Sequence, residues 1–334
     1  MLKIKHKHNY SFGVLIMDVD IDITVPKMIH TTYFTSNNKE LIVVESSSII
    51  VRNIYSGFLQ NFTKQNFITS FHLSNNNVIT VENSDIQDIR IIRIHNCQTM
   101  TEHDFHIVNN ATISSACITL DEKYIVYSEN NYAHAFETPP AQIKIIDMSG
   151  KNIYTFNTKS FITQLYCIEN SSVISIEHGM YTYLPVGNAC ISLYNIDNSI
   201  KELFKSKNEI SISSISHDHQ YLFIVEICPT TAILSSIHIT SGKIRQIYKT
   251  EKNITSISVS KNNILLTEDE YTKGHTSNIS HISHVKLLDL NTGIETFQYI
   301  NAIPIINATI SHDSNIISIL NEKTIPNIHF IFLN

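Results

Sequence analysis

The sequence predicts an all-β protein, a seven-bladed β-propeller of four-stranded antiparallel blades. Three observations support this prediction. Segments rich in β-branched residues recur along the chain, and each ends in an acidic or amide side chain at a similar spacing. No segment shows the 3.6-residue apolar stripe of an amphipathic helix. The length of 334 residues and the 43% hydrophobic content are sufficient for a substantial core.

The repeat is defined by the residue at the end of the second strand of each unit, which we call the anchor. A polar turn and four or five β-forming residues precede each anchor, as in 33–45 and 214–226. The anchors are about 46 residues apart on average, which fits a four-stranded propeller blade of roughly 40 to 50 residues. The seven anchors are Glu45, Glu82, Glu129, Glu177, Glu226, Glu268 and Asn321.

The two ends of the chain are predicted to complete the last blade together. The seventh unit stops after the strand-like segment 327–333, one strand short of a blade, and residues 11–23 are strand-like but belong to no unit. We predict that residues 1–28 supply the closing strand or strands, since pairing of the ends removes exposed sheet edges. Alternating lysines over 2–8 predict a second strand beside the first. Residues 1–334 are therefore expected to form one domain.

Two kinds of turn resemble those of the WD40-like family of seven-bladed propellers. Ser216–His217–Asp218 and Ser311–His312–Asp313 match its Ser-x-Asp turn, and Asp289 to Gly293 matches its Asp-x-x-x-Gly hairpin. The resemblance covers nearly the whole chain and implies a propeller that presents a binding surface to proteins or peptides. The chain lacks the family's Gly-His and Trp-Asp dipeptides. The hydrogen-bonded tetrad that those dipeptides build is therefore not expected.

Candidate binding residues come from the anchors and from the loops that follow three of them. Second strands of a propeller end on the same face, so these residues are expected to share that face. The loops after Glu129, Glu177 and Glu268 are the longest and the richest in tyrosine and histidine, and exposed tyrosines give large contact area at small entropy cost. The candidates are Glu129, Tyr132, His134, Glu177, His178, Tyr181, Tyr183, Glu226, Glu268, Tyr271 and His275.

Two interpretations of the acidic anchors remain open at this stage. They can form an electronegative rim that attracts a basic peptide, an amine or a cation. Alternatively, each carboxylate accepts hydrogen bonds from backbone N–H groups of the adjoining loop and has a structural role. Recurrence in nearly every unit favours the structural role, because function usually breaks symmetry. The long loops, likewise, are either binding loops or tolerated insertions.

The sequence favours a non-enzymatic scaffold for a protein or peptide partner, with a basic partner suggested by the acids. The Ser-His-Asp triplets consist of adjacent residues, which cannot adopt relay geometry, and no HExxH, P-loop or GxGxxG motif occurs. No cofactor is expected. The alternative is a propeller hydrolase or lyase, in one version metal-assisted, with its site at the channel mouth. Zinc bound by His275, His281 and His284 with Glu268 or Asp269 is a further hypothesis.

Charge and cysteine usage limit the partners and the compartment. The net charge is −6 and the four arginines are scattered, so a nucleic-acid surface is not expected. No apolar run reaches the roughly 20 residues that span a bilayer, so no membrane partner is expected. The five cysteines are far apart and lack CxxC spacing. We interpret them as reduced thiols, which predicts a cytoplasmic protein.

Overall fold

The computed structural model describes residues 4–5, 15–19, 29–63, 66–74, 77–83, 89–108, 112–131, 140–169, 172–181, 184–197, 199–273, 279–322 and 327–333. Within these residues it contains 29 β-strands and no helix. The strands form seven antiparallel sheets, which are the blades of a β-propeller. The predicted fold class is therefore confirmed. In the same residues, no helix is long and apolar enough to cross a membrane.

The strands are numbered along the chain. The N-terminal strands are β1 (Ile4–Lys5) and β2 (Leu15–Val19). Blade 1 comprises β3 (Ile29–Phe34), β4 (Glu40–Glu45), β5 (Ser48–Asn53) and β6 (Leu59–Thr63). Blade 2 comprises β7 (Phe67–Ser74), β8 (Asn77–Asn83), β9 (Ile89–Asn96) and β10 (Thr101–Val108). Blade 3 comprises β11 (Thr112–Ile118), β12 (Tyr124–Asn130), β13 (Ala141–Asp147) and β14 (Asn152–Thr158).

The remaining blades continue in the same order. Blade 4 comprises β15 (Phe161–Glu169), β16 (Ser172–Tyr181), β17 (Leu184–Asn195) and β18 (Ile200–Lys205). Blade 5 comprises β19 (Glu209–Ile215), β20 (Tyr221–Ile227), β21 (Ala232–His238) and β22 (Ile244–Thr250). Blade 6 comprises β23 (Asn253–Val259), β24 (Asn263–Lys273), β25 (Ile279–Asp289) and β26 (Glu295–Asn301). Blade 7 begins with β27 (Ile305–Ile310), β28 (Ile316–Asn321) and β29 (Asn327–Phe332).

The N-terminal strands complete blade 7, as the sequence predicts. Strand β2 pairs antiparallel with β29, with Leu15 opposite Phe332 and Met17 opposite Phe330. Strand β1 then pairs with β2, so this sheet has the order β1-β2-β29-β28-β27. The closing strand and the second N-terminal strand are both confirmed. The turn expected between them falls outside the described residues.

Burial distinguishes the second strand of a blade from the fourth. In β4 every residue after Glu40 is buried, and in β8 every residue before Asn83 is buried, because both faces of a second strand are covered. In the fourth strand β14 the buried positions alternate with exposed ones. This alternation is typical of a strand with one wet face. The second strands β4 and β8 are therefore core strands, and their anchors Glu45 and Glu82 are buried with them.

The chain divides into two compact units. Unit 1 contains Met1–Thr63, Ser211–Ser236 and Ile244–Asn334, and unit 2 contains Lys64–Ile210 and Ile237–Lys243. In unit 1, apolar clusters join blade 5 to blade 6, blade 6 to blade 7 and blade 7 to blade 1. In unit 2, such clusters join blade 2 to blade 3 and blade 3 to blade 4. Each fully buried aliphatic side chain contributes about 1.5 to 3 kcal/mol. The expectation of one domain stays a prediction.

The Ser-x-Asp turns connect the first strand of a blade to the second. In blade 5 the Ser216 hydroxyl donates to Asp218 over 2.6 Å and accepts a hydrogen bond from the backbone N–H of Tyr221 over 2.9 Å. Blade 7 repeats both contacts with Ser311, Asp313 and Ile316. These residues therefore stabilise tight turns, and they do not form a catalytic relay.

Candidate functional site

The anchors are buried, apart from the half-buried Glu226. The buried members are Glu45, Glu82, Glu129, Glu177, Glu268 and Asn321. A buried carboxylate must be paired or hydrogen-bonded, because removal of a charge from water is costly. The contacts of each anchor therefore decide between the two interpretations that the sequence left open.

In unit 2, the anchors contact side chains of the third strand of their own blade. Arg93 on β9 donates to both oxygens of Glu82 over 3.0 and 2.7 Å, and it also donates to Asp104 on β10. Lys144 on β13 lies 2.7 Å from Glu129 Oε2. Each of these third-strand cations pairs with its own blade's anchor. These pairs neutralise the buried acids inside the blade.

The third anchor of unit 2 contacts hydroxyl groups instead of a cation. Ser175 and Tyr194 donate to Glu177 Oε1 over 2.6 and 2.9 Å. Burial raises the pKa of Tyr194 above its ordinary value, and the neighbouring Glu177 charge raises it further. The phenol therefore remains a hydrogen-bond donor.

Unit 1 contains the same arrangement with other partners. Glu45 accepts a short hydrogen bond from Ser48 on β5. Lys286 on β25 lies 3.1 Å from Glu268 and donates to Tyr248 over 2.7 Å. Burial lowers the pKa of Lys286, but the Tyr248 hydrogen bond and the Glu268 charge outweigh burial and raise it overall. The buried lysine is therefore charged.

The anchor contacts favour the structural role over an exposed acidic rim. The donors are side chains, mostly of the third strand, with Ser175 on the second strand of blade 4, whereas the sequence analysis expected backbone N–H groups of the loop. The register explains the choice: Glu82 lies opposite Ile91 and Glu268 opposite His284, so the cation is two residues farther along the third strand. A search for Lys or Arg at that offset could have identified Arg93 and Lys286 from the sequence.

Two of the predicted long loops are instead continuations of the hairpin strands. Strands β24 and β25 pair through four further residue pairs beyond Asp269 and Ser283, ending at Lys273 opposite Ile279. Neighbouring strand β23 pairs with β24 as far as Asp269, and β26 pairs with β25 as far as Ser283. We call the two-stranded segment beyond these residues the blade 6 ribbon. Four of its residues, Tyr271, Thr272, Ile279 and Ile282, are β-formers, which favours the continued pairing.

Blade 4 has a shorter extension of the same kind. Strand β15 pairs with β16 as far as His178, and the β16–β17 pairing continues to Tyr181 opposite Leu184. His178 itself is buried, and burial lowers its pKa although the charge of Glu209 opposes the effect. A neutral, buried imidazole is poorly placed to contact a partner.

A polar cluster lies at the base of the blade 6 ribbon. Lys252 Nζ lies 2.9 Å from Glu270 Oε2 and 3.0 Å from His284 Nε2, and Gln298 lies 3.1 Å from His284 Nδ1. The hydrogen bond and charge of Lys252 lower the pKa of Glu270. The side chain of Glu270 is 38% exposed and that of Lys252 is 29% exposed. This face of the ribbon therefore presents an ion pair that a partner can reach.

The opposite face of the hairpin carries a second group. Ser283 donates to Asp269 Oδ1 over 2.6 Å and accepts from the backbone N–H of Ile305 over 3.2 Å. His281 Nε2 lies 3.2 Å from the same Asp269 oxygen. Serine and histidine therefore share one acceptor, whereas a catalytic relay needs histidine between serine and aspartate. Across the described ranges, no group of three His, Cys, Asp or Glu side chains is arranged to hold a metal ion.

The other predicted site residues fall into two groups. Tyr181 and Tyr271 lie on described strands, where only their backbone positions are given. Tyr132, His134, Tyr183 and His275 fall outside the described residues. The structure thus brings Glu268 next to the blade 6 cluster but does not test the predicted tyrosine surface. Sequence reasoning missed Lys252, which directly precedes β23, and Gln298 on β26; both become recognisable once the pairing of β23 to β26 is known.

Comparison with known proteins reveals similarity of fold. No protein-family model and no curated protein matches the chain. An oligogalacturonate lyase in complex with manganese superimposes with a TM-score of 0.64 at 10% sequence identity, covering 100% of this chain and 96% of the other. Kuenenia stuttgartiensis hydrazine synthase gives a TM-score of 0.64 at 10% identity, covering 93% and 97%. At this identity the similarities show the propeller fold and nothing about activity.

Proposed function

We propose that the protein is a non-enzymatic, WD40-like scaffold, located in the cytoplasm, that binds a protein or peptide partner through the blade 6 ribbon. The blade 6 ribbon is the observation that carries this proposal. Beyond Asp269 and Ser283 its outer edges lie past the ends of the flanking strands. Such an edge offers backbone N–H and C=O groups to an extended peptide.

The polar cluster at the base of the ribbon supports a partner with basic side chains. Glu270 is the acidic member of the cluster, its side chain is 38% exposed, and it already accepts a cationic partner, Lys252. A lysine or arginine of a bound strand can compete for the same carboxylate, with backbone pairing along the ribbon. The buried Glu268 is excluded from this role, since Lys286 neutralises it inside the blade.

A ribbon-deletion variant tests the proposal. Residues 271–281 are replaced by Asn-Gly, which closes the hairpin directly above the Glu270–Ile282 pair and keeps its register. We expect the thermal unfolding temperature to stay the same, while partner recovery by cross-linking and affinity capture falls by at least about tenfold, the loss of about 1.4 kcal/mol of binding free energy. Lys243→Glu, an exposed charge change in a turn of blade 5, is the matched control and should retain the partner.

Equal recovery with the ribbon-deletion variant and the wild type would contradict the proposal. A point variant refines the test, because Glu270→Lys leaves the ribbon intact but reverses its exposed charge. Loss of the partner on deletion with retention in Glu270→Lys would mean that backbone pairing dominates over charge.

A hydrolase or lyase, in one version metal-assisted, remains the second candidate, because the propeller fold is compatible with an enzyme and also occurs in a lyase in complex with manganese. The metal-assisted version needs a cation site that includes residues outside the described ranges, such as His275. Titration of the metal-free protein with Mn²⁺, followed by calorimetry, tests it. Saturable binding that His275→Ala abolishes would favour the enzyme, whereas an absence of binding heat would leave the scaffold as the better proposal.

A further inference from the structure

Two buried cysteines meet between blades 3 and 4. Cys117 on β11 and Cys167 on β15 are 50 residues apart in the chain, and their Sγ atoms are 2.8 Å apart. Both side chains are buried. A disulfide bond is about 2.05 Å long, so the sulfur atoms need to approach by less than about 1 Å. Cys117 lies opposite Val126 and Cys167 opposite Val173, so both thiols lie toward the ends of the first strands of consecutive blades.

Hydrogen bonds between the two blades hold the strands of these cysteines together. The Asn130 side chain accepts from the backbone N–H of Ile162 over 3.0 Å and donates to the Ile162 carbonyl over 2.7 Å. The backbone N–H of Leu165 donates to Ser115 Oγ over 3.1 Å. Ser115 precedes Cys117 by two residues and Leu165 precedes Cys167 by two, so the serine contact sets the relative position of the thiols.

Side chains of consecutive first strands also meet in another pair of blades. Ser258 on β23 and Thr309 on β27 lie between blades 6 and 7, and their hydroxyl oxygens are 3.1 Å apart. The backbone N–H of Ile310 donates to Ser258 Oγ over 3.2 Å, as that of Leu165 donates to Ser115 Oγ. First strands of consecutive blades therefore approach closely enough for direct side-chain contact, and between blades 3 and 4 the contact is a dithiol.

We propose that Cys117 and Cys167 form a disulfide bond that joins blades 3 and 4 when the protein meets a peroxide. In the first step a thiolate attacks hydrogen peroxide, and cysteine sulfenic acid and one water are produced. The second cysteine then attacks the sulfenic sulfur, so that the S–S bond forms as the S–O bond breaks and a second water leaves. Two thiols are oxidised by two electrons in total, and one peroxide is reduced to two waters.

Burial of the two thiols is expected to slow their oxidation by peroxide, but it does not prevent the disulfide bond from forming. Burial raises the pKa of Cys167, and the contact with Cys117 raises it further. Because the thiolate is the reactive species, oxidation of the folded protein at neutral pH is expected to be slow. Oxidation during folding, before the blades close, avoids this barrier. Once formed, the bond is shielded from external reductants by the same burial.

Peptide mapping tests the proposal directly. The reduced full chain is treated with hydrogen peroxide in two arms, one native at alkaline pH and one during refolding from urea, then acidified, denatured and alkylated. In at least one arm, we expect a peptide pair linked through Cys117 and Cys167. Cys97 is the matched control, since it is equally buried and its sulfur contacts the His95 carbonyl. The proposal fails if Cys117 and Cys167 are alkylated as completely as Cys97 in both arms, or if they pair with other cysteines.

Stability provides a second readout. Oxidation of the wild type is expected to raise the thermal unfolding temperature by roughly 5 to 10 °C, because the cross-link constrains a loop of about 50 residues in the unfolded chain. The Cys117→Ser/Cys167→Ser double variant cannot form the cross-link and should not show this shift. An unchanged unfolding temperature on wild-type oxidation, or an equal shift in the double variant, would refute the cross-link.

Discussion

Two glutamates of one strand differ in burial: one has a structural role, and the other lies in the ribbon that we propose as the binding surface. On β24, Glu268 is fully buried and is neutralised by Lys286 of the same blade, with 0% and 12% side-chain exposure. Two residues later, Glu270 is 38% exposed and contacts Lys252, which precedes β23. The side chains lie on the same face of the strand, since successive residues alternate. Their difference in role follows from the point at which the blade ends.

Glu268 belongs to a set that recurs in nearly every blade, whereas Glu270 belongs to an extension with its own sequence. Glu82–Arg93 and Glu129–Lys144 are buried ion pairs at the same place in two blades. A contact that recurs in this way is expected to stabilise the fold of each blade. A partner that binds at one blade must distinguish that blade from the others. A binding site therefore tends to consist of residues that are not repeated from blade to blade. Perturbation of the two classes should give stability effects of different size.

The largest expected effect is on the buried pair of blade 2. Arg93→Met leaves Glu82 buried with its charge uncompensated, and loss of one partner of a buried ion pair costs about 3 to 5 kcal/mol of unfolding free energy. Urea unfolding followed by circular dichroism measures the loss. Lys123→Met breaks an ion pair whose lysine is 70% exposed and should change stability by less than about 0.5 kcal/mol. Similar losses in both variants would mean that burial does not distinguish these pairs.

A smaller effect is expected from the direct comparison on β24. Glu268→Gln leaves charged Lys286 with Tyr248 and with Glu295 at 3.3 Å, so the expected loss is about 1 to 3 kcal/mol. Glu270→Gln should leave the urea midpoint unchanged, because solvent screens its ion pair. The comparison would break down if Glu270→Gln destabilised the protein as much as Glu268→Gln, since the ribbon base would then be structural.

The positions of the anchors were predictable because each is defined by local features, a polar turn and a short β-forming run. Their partners were harder to predict, because Arg93 is brought to Glu82 by the register of a hairpin whose loop carries no strong turn signal. The ends of β16 and β24 were missed for a related reason. Residues such as Tyr181 and Tyr271 are frequent both in strands and in binding loops, so composition does not separate the two. The Cys117–Cys167 contact was missed because it depends on how the first strands of consecutive blades pack against each other.

The smallest of the three expected effects on stability comes from the turns between first and second strands. In these turns a residue that does not recur in every blade contributes to stability. The flanking Ser and Asp recur, but the middle residue varies, and His217 and His312 occupy this position in blades 5 and 7. Their rings are 4.4 Å apart. A residue outside the recurring set can thus still affect stability, through its charge state.

The sign of this effect follows from the pKa of His312. Burial lowers that pKa below the ordinary value of 6.5, His217 lowers it further, and Asp313 opposes the shift. The folded protein therefore binds the proton less well than the unfolded chain. The His312 contribution is complete above about pH 6.5, the pKa of an unfolded histidine, and is lost as the pH falls toward the lower folded pKa. His178, whose pKa is also lowered, adds a loss of the same sign.

Urea midpoints measured between pH 7.5 and 5 check this prediction. His312→Asn should reduce the loss of stability on acidification, and His217→Asn should reduce it less, because it removes the neighbouring charge but not the burial. The pKa values of the Asp218 and Asp289 carboxyls are lowered, so these groups titrate below the pH range of this experiment and do not contribute to the measured change. If His312→Asn retained the full wild-type pH dependence, the imidazole contact would be electrostatically neutral. His312 would then contribute to stability through packing only. The charge-dependent contribution to stability would be limited to the residues that recur in the blades.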